Sequence, residues 1–262
     1  MILALTIIFF LFGLIIGSFL NVVICRYNAR RFGGRSACMS CQKQLCWHEL
    51  IPLFSFICQK GRCRGCQGKI SWQYPVVEFL TGVIFAALFL KFQPLFWMGG
   101  LHFALSLAYY GSMFSLLMVI AVYDLRHKII PDKLSLIFAI IAFAGLFLFQ
   151  NDIFSPHWPT LSEFFAGLAI SVPFALVWLL SRGNWMGLGD AKLAVGLGWM
   201  LGLSRMLSGV VISFWSGAII GVILLACSRA HTGKSEVPFA PFLVFGAIIA
   251  FLFELHLFPL GF

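Results

Sequence analysis

The sequence predicts an all-α integral membrane protein of about eight transmembrane helices, with a small cytosolic zinc-ribbon-like module between helices 1 and 2. Three observations predict it. Of 262 residues, 61% are hydrophobic and only 10% charged, where a soluble domain carries about 25% charged. The apolar residues gather in runs near the ~20 residues that cross a bilayer. One long hydrophilic stretch, residues 26–74, interrupts them and holds two Cys-x-x-Cys pairs.

Taken in order, the apolar segments are 2–24, 75–92, 101–122, 133–150, 160–181, 190–204, 207–227 and 237–258. Backbone amides cannot be left unpaired in hydrocarbon, so each is expected to be helical. The first has no Lys or Arg before Arg26 and no small-residue cleavage site, so it is expected to be retained. Within it, Gly13 and Gly17 form a small-xxx-small pair, and Ser18 and Asn21 are polar; helix packing and an interhelical hydrogen bond are expected there. The sixth segment is short and glycine-rich, and its ends are the least defined. No internal repeat or low-complexity linker is evident. The chain divides into a first helix (1–25), the cysteine module (26–74) and a polytopic membrane domain (75–262).

Orientation follows from the cations. Of the 18 Lys and Arg residues, all but Lys91 and Arg205 fall on one face. The positive-inside rule assigns that face to the cytosol and both termini to the outside. The net charge of +9 is thereby accounted for by topology and anionic lipid, and nucleic-acid binding is not expected.

In the module, Cys38-Met-Ser-Cys41 and Cys63-Arg-Gly-Cys66 lie slightly farther apart than the usual zinc-ribbon spacing. Each pair can present two thiolates from one turn, and two such knuckles complete a tetrahedral S4 site. The cytosol is reducing, so a disulfide pair is the weaker explanation. A segment this short and polar builds little core, and a bound metal supplies the missing folding energy. Cys46, Cys58, Cys25 and Cys227 belong to no knuckle and read as ordinary small side chains, although Cys46, Cys58 and nearby His48 could substitute as ligands.

Acidic residues are few. Glu49, Asp152, Glu163, Glu236 and Glu254 each have an easy solvated reading. Asp124 ends a long apolar run, and Asp190 follows Gly187-Leu188-Gly189 at the start of the short sixth segment. Topology puts both at the cytosolic membrane edge, where an ionisable group marks a functional site. Two carboxylates in one site share a proton, so one can serve as base toward water while the other donates to a carbonyl. Gly187 and Gly189 would let an extended peptide approach closely. Taken singly, each aspartate could instead cap a helix or pair with Arg126, Lys128 or Lys192. Asp132, after Pro131, suits a helix N-terminus. Glu78 is either a satisfied, packed polar group or a substrate or cofactor contact.

At these residues the chain closely resembles the type IV prepilin peptidases, membrane aspartic proteases of the GxGD class. The resemblance runs nearly end to end. It covers Gly17-Ser18-Phe19-Leu20-Asn21 with Arg26, the paired CxxC module, and Ile70-Ser71-Trp72-Gln73-Tyr74-Pro75 with Glu78. It continues with Asp124 leading to Ile130-Pro131-Asp132, Gly187-Leu188-Gly189-Asp190, and Pro238-Phe239-Ala240-Pro241. The resemblance implies cleavage of the short basic leader of type IV prepilins or secretion pseudopilins at the cytosolic face of the bacterial inner membrane. It implies Asp124 and Asp190 as the catalytic pair and Cys38, Cys41, Cys63 and Cys66 as zinc ligands. It also implies methylation of the new amino terminus with S-adenosylmethionine, although the sequence has no strand–GxGxxG–helix unit for that cofactor. Cys46, Cys58 and Trp47-His48-Glu49 depart from the commonest family pattern. The competing readings are a GxGD protease for other signal peptides and a non-enzymatic zinc-stabilised scaffold. A transporter is disfavoured because the key acids sit at one edge and not at the midplane.

Overall fold

A computed structural model describes residues 1–27, 34–227 and 237–257. Each of the eight apolar segments contains one long helix. They are α1 (Ile2–Arg26), α3 (Gln73–Met98), α4 (Gly100–His127), α5 (Asp132–Leu148), α6 (Leu161–Ser181), α7 (Leu188–Leu201), α8 (Leu203–Cys227) and α9 (Ala240–Leu252), with a short α2 (Phe54–Cys58) in the cysteine module. Five are long and apolar enough to cross a membrane: α1, α3, α4, α6 and the described part of α8, Leu203–Leu224.

The other three of the eight expected spans are shorter than that. The helices α5, α7 and α9 have 17, 14 and 13 residues. At about 1.5 Å per residue, a helix as short as α7 or α9 falls well short of a hydrocarbon core about 30 Å thick. Apolar composition had extended these segments past their helical ends. Phe149 and Gln150, placed in the fourth span, instead form strand β1, which pairs antiparallel with β2 (Ile153–Phe154). The intervening Asn151 and Asp152 take positive φ, 49° and 66°, the backbone that a tight hairpin turn requires. The eighth segment begins as a helix only at Ala240 and ends at Leu252. Phe258, at the end of that segment, and the cations Arg30, Arg31, Arg229 and Lys234 lie outside the described residues.

The chain forms two compact units. The first comprises Met1–Met98 with Tyr110–Val119. Here α1 lies directly on α3. A Cβ on Gly17 would sit 2.7 Å from the Cα of Glu78, and one on Gly13 would sit 2.7 Å from the carbonyl oxygen of Thr81. The small-xxx-small pair is therefore the seam through which α1 reaches α3. Asn21 Nδ2 donates to the Tyr74 carbonyl at 3.1 Å, and Gln73 Nε2 donates to Asn21 Oδ1 at 3.3 Å, supplying the interhelical polar contact. Phe9 stacks on Phe89 with centroids 4.7 Å apart, and Leu88, Phe89 and Phe92 are buried.

The second unit comprises Gly99–Tyr109 and Ile120–Phe262. In it α7 packs against α5 and α6 and is buried along much of its length. Its glycines explain how: Gly198 comes against the Cα of Gly167, so the two backbones meet with no side chain between them. Asp152, read from sequence as solvated, is buried and ion-paired to Arg205 at 2.6 Å. Glu163 closes a capping box with Thr160 at the start of α6.

Candidate active site and cysteine cluster

Asp124 sits in the last turn of α4, which ends at Lys128 in the left-handed conformation. Only 4% of Asp124 is exposed, and its Oδ2 accepts the backbone N–H of Ala240 at 3.2 Å. Ala240 opens α9, with a proline in the first turn. A helix N-terminus carries unpaired N–H groups and partial positive charge, so it holds a carboxylate well. This amide was missed in reading the sequence. Pro241, inside a Pro-Phe-Ala-Pro run, was the signal for a helix start that could have found it.

Asp190 lies in the first turn of α7, after Gly187 as N-cap, and is 6% exposed. Asp124 and Asp190 thus lie within one unit, near enough for the Asp124 charge to act on Asp190. Among the described residues, Oδ1 of Asp190 is buried without a hydrogen-bond partner. A buried acceptor of this kind is costly unless a water or substrate group meets it.

Gly189 has a different use from the one expected. A Cβ there would sit 2.8 Å from Cβ of Ile130, so the missing side chain makes room for the turn after α4. The glycine thus lets the start of α7 lie against the turn after α4, while Gly187, two residues earlier, is exposed. Asp132 pairs with Lys192 at 2.7 Å on an exposed surface, which ties the start of α5 to α7.

The cysteine module belongs to the first unit. Ligand atoms of Cys38, Cys41, Cys63 and Cys66 all lie within 4.8 Å of one another, and all four cysteines are free of disulfides. Sγ of Cys38 and Cys66 are 3.8 Å apart. Tetrahedral Zn–S bonds of about 2.3 Å place two sulfurs roughly 3.8 Å apart, so the donor set fits that metal. The two knuckles repeat one another bond for bond. The N–H of Cys38 donates to Lys43 O and that of Gln42 to Cys38 O, while Cys63 donates to Gly68 O and Gln67 to Cys63 O, each at 2.9 Å. Gln42 and Gln67, at the same position of each knuckle, both have φ 57°. Backbone N–H groups of Cys41 and Ser40 hold the Cys38 thiol down to about 6 from its usual 9.0, which favours the thiolate that a metal binds.

Glu78 proves to be a packed, satisfied group. It is 8% exposed, its Oε2 accepts the N–H of Leu53 at 2.8 Å, and it bonds the Ser18 hydroxyl. Leu53 sits at φ 57°, a backbone angle a non-glycine residue rarely adopts. The carboxylate therefore pins the module to both α1 and α3. Cys46, His48 and Glu49 also place ligand-type atoms within 4.8 Å, with Glu49 Oε2 accepting the Cys46 N–H at 2.9 Å in a capping box. Cys25 Sγ lies 3.5 Å from the Tyr74 hydroxyl, while Cys58 and Cys227 are exposed.

Comparison with known proteins shows the family. Residues 11–92 match the Bacterial Peptidase A24 N-terminal domain and residues 111–222 the Type IV leader peptidase family. A prepilin leader peptidase/N-methyltransferase of Bacillus subtilis (strain 168) is 32% identical over 94% of this chain and 93% of its own. Proteins of the same name are 34% identical in Myxococcus xanthus (strain DK1622), over 84% of this chain and 64% of the relative, and 32% identical in Aeromonas salmonicida (strain A449), over 93% and 89%. No solved structure matches the chain. With a family domain on either side of residues 93–110 and a relative matched along almost its whole length, the chain belongs to the type IV leader peptidase family.

Proposed function

We propose that this protein cleaves the leader peptide of type IV prepilins or pseudopilins at the cytosolic face of the bacterial inner membrane, with Asp124 and Asp190 as the catalytic pair. The observation that supports this reading is that two buried carboxylates lie in one unit with the charge of one acting on the other, one held by the N-terminus of α9 and the other with an oxygen that has no hydrogen-bond partner among the described residues. The ionised member of the pair takes a proton from water as its oxygen bonds to the scissile carbonyl carbon. The protonated member gives its proton to the carbonyl oxygen. Collapse of the tetrahedral centre breaks the C–N bond, and the leaving amine takes up a proton. No covalent intermediate forms. The reading divides the chain into a first helix (1–25), a cytosolic cysteine module (26–74) and the membrane protease domain (75–262).

Zinc on Cys38, Cys41, Cys63 and Cys66 holds the module folded and takes no part in hydrolysis. The names of the relatives support methylation of the new amino terminus, for which S-adenosylmethionine supplies the methyl group. No residue is assigned to that cofactor.

The test is incubation of membranes holding the protein with a prepilin and S-adenosylmethionine, followed by mass spectrometry of the product amino terminus. Cleavage by the native protein and its loss in Asp124→Asn and in Asp190→Asn, with membrane insertion intact, is the expected result. Normal cleavage by either variant refutes the assignment.

A further inference from the structure

An open groove of ≈ 840 Å³ lies beside the second cysteine knuckle. Its floor is apolar, built from Leu53 and Phe56 and from Val76, Phe79 and Leu80 of α3. Lys60, Arg62 and Lys69 also line it, and no carboxylate does.

These cations are set against their own repulsion. Arg62 and Lys69 are direct partners in an antiparallel bridge. Backbone bonds from Cys63 to Gly68 O (2.9 Å) and from Ile70 to Gly61 O (2.8 Å) lock that pairing on both sides. Like charges directly opposite one another destabilise an antiparallel pair. Lys60 adds a third charge to the same groove. Among the described residues, none of the three takes part in an ion pair. An anion seated between them would convert the repulsion into attraction.

The floor decides what kind of anion. Val76, Phe79, Leu80 and Val83 are 47%, 50%, 43% and 42% exposed on a helix that is long and apolar enough to cross a membrane. The apolar surface of the groove therefore runs on into the lipid-facing side of α3. Trp72, just before α3 and 72% exposed, marks the level at which aromatic side chains anchor at a membrane interface. A soluble phosphate would use the cations and leave the floor bare. A basic peptide would use the floor and be repelled by the cations. An amphiphile with an anionic head satisfies both.

We propose that this groove is a binding site for an anionic phospholipid, with its headgroup phosphate among Lys60, Arg62 and Lys69 and an acyl chain along Val76, Phe79 and Leu80. The inference does not depend on the proteolytic reading of the aspartate pair. Native mass spectrometry of the full-length protein in neutral detergent tests it, with phosphatidylglycerol and phosphatidylcholine of the same chains as probes and glycerol phosphate as competitor. Phosphatidylglycerol should bind about tenfold or more tighter than phosphatidylcholine, and the variant Lys60→Gln/Arg62→Gln/Lys69→Gln should lose that preference. A control, Lys128→Gln/Lys133→Gln, removes two cations elsewhere and should keep it. Lys60→Arg/Lys69→Arg should keep it as well, which separates charge from folding damage. Equal binding of the two lipids by the native protein overturns the proposal, whatever the variants do. So does full retention of the preference in the triple variant, its equal loss in the control, or displacement of the lipid by glycerol phosphate at matching concentration, which would assign the site to a soluble anion. Displacement by a basic leader peptide would assign it to substrate and overturn it too.

Discussion

Among the described residues, Asp190 differs from Asp132, Asp152 and Glu163 in what surrounds it. Asp152, Asp132 and Glu163 each have a cation or a helix cap as partner, whereas Asp190 keeps a buried oxygen unpaired. General acid–base contributions are worth roughly 10²–10⁴-fold in rate, so Asp124→Asn and Asp190→Asn should each lower prepilin cleavage by at least that much in a timed gel-shift assay. The cysteines call for a different measurement. Cys38→Ser combined with Cys41→Ser should remove bound zinc from the purified protein, and one zinc retained per chain would contradict the S4 site. Cys38 is held down to about 6 while Cys66 beside it is pushed up to about 11, so protons compete with a metal for the four thiols as pH falls from about 9 through about 6. Metal retention should accordingly decline on acidification through that range, read by zinc analysis after dialysis at stepped pH. Glu78 supplies a third test at this scale. Glu78→Ala leaves the Leu53 N–H unpaired, at a cost of about 1–3 kcal/mol, and should make residues 34–72 more sensitive to protease. Glu78→Gln keeps an acceptor oxygen and should restore most of the resistance.

At the level of elements, the proposed site draws on three helix ends: the last turn of α4, the first turn of α7 and the first turn of α9. Two of these are N-termini, whose free N–H groups favour carboxylates. The approach of α7 to the turn after α4 depends on Gly189 lying against Ile130. Gly189→Ala should therefore push α7 away, at a cost of about 1–3 kcal/mol for overpacking, with cleavage falling while the protein still inserts. Ile130→Ala in the same chain should recover part of the activity. An unchanged rate in the single variant would show that this contact does not position Asp190.

At the scale of the whole molecule, orientation is the property the cations address. The proposal puts the cysteine module and the aspartate pair in the cytosol. Alkaline phosphatase fused after Ser155 should be active, because that hairpin would be exported, and inactive when fused after Lys128. The reverse pattern would invert the topology and with it the side on which leader peptides are cut. Among the described residues, five helices meet the length of a bilayer by themselves, and the same pair of fusions tests whether α5, with 17 residues, crosses as well.

Much of this was legible in the chain itself, for physical reasons tied to particular residues. Lipid demands long apolar helices, so each of the eight segments could be found from composition. The cysteine pairs are local, and the turn that presents Cys38 and Cys41 is contained within a few residues, so the cluster could be anticipated from spacing. The acids at the ends of apolar runs stood out because charge is rare there. What spacing could not supply was anything made by contact between distant segments. That Asp124 meets the amide of Ala240, that the Asp124 charge acts on Asp190, and that Gly189 faces Ile130 depend on how helix ends converge, not on neighbours in sequence. The burial of Asp152 against Arg205 and the hairpin that cuts the fourth segment at Leu148 were hidden for the same reason. So the sequence determined a helical membrane protein with a pair of cysteine turns and two notable aspartates. Only the tertiary structure decided that those aspartates are both buried in one unit, where the charge of one acts on the other, because proximity and burial are set by packing.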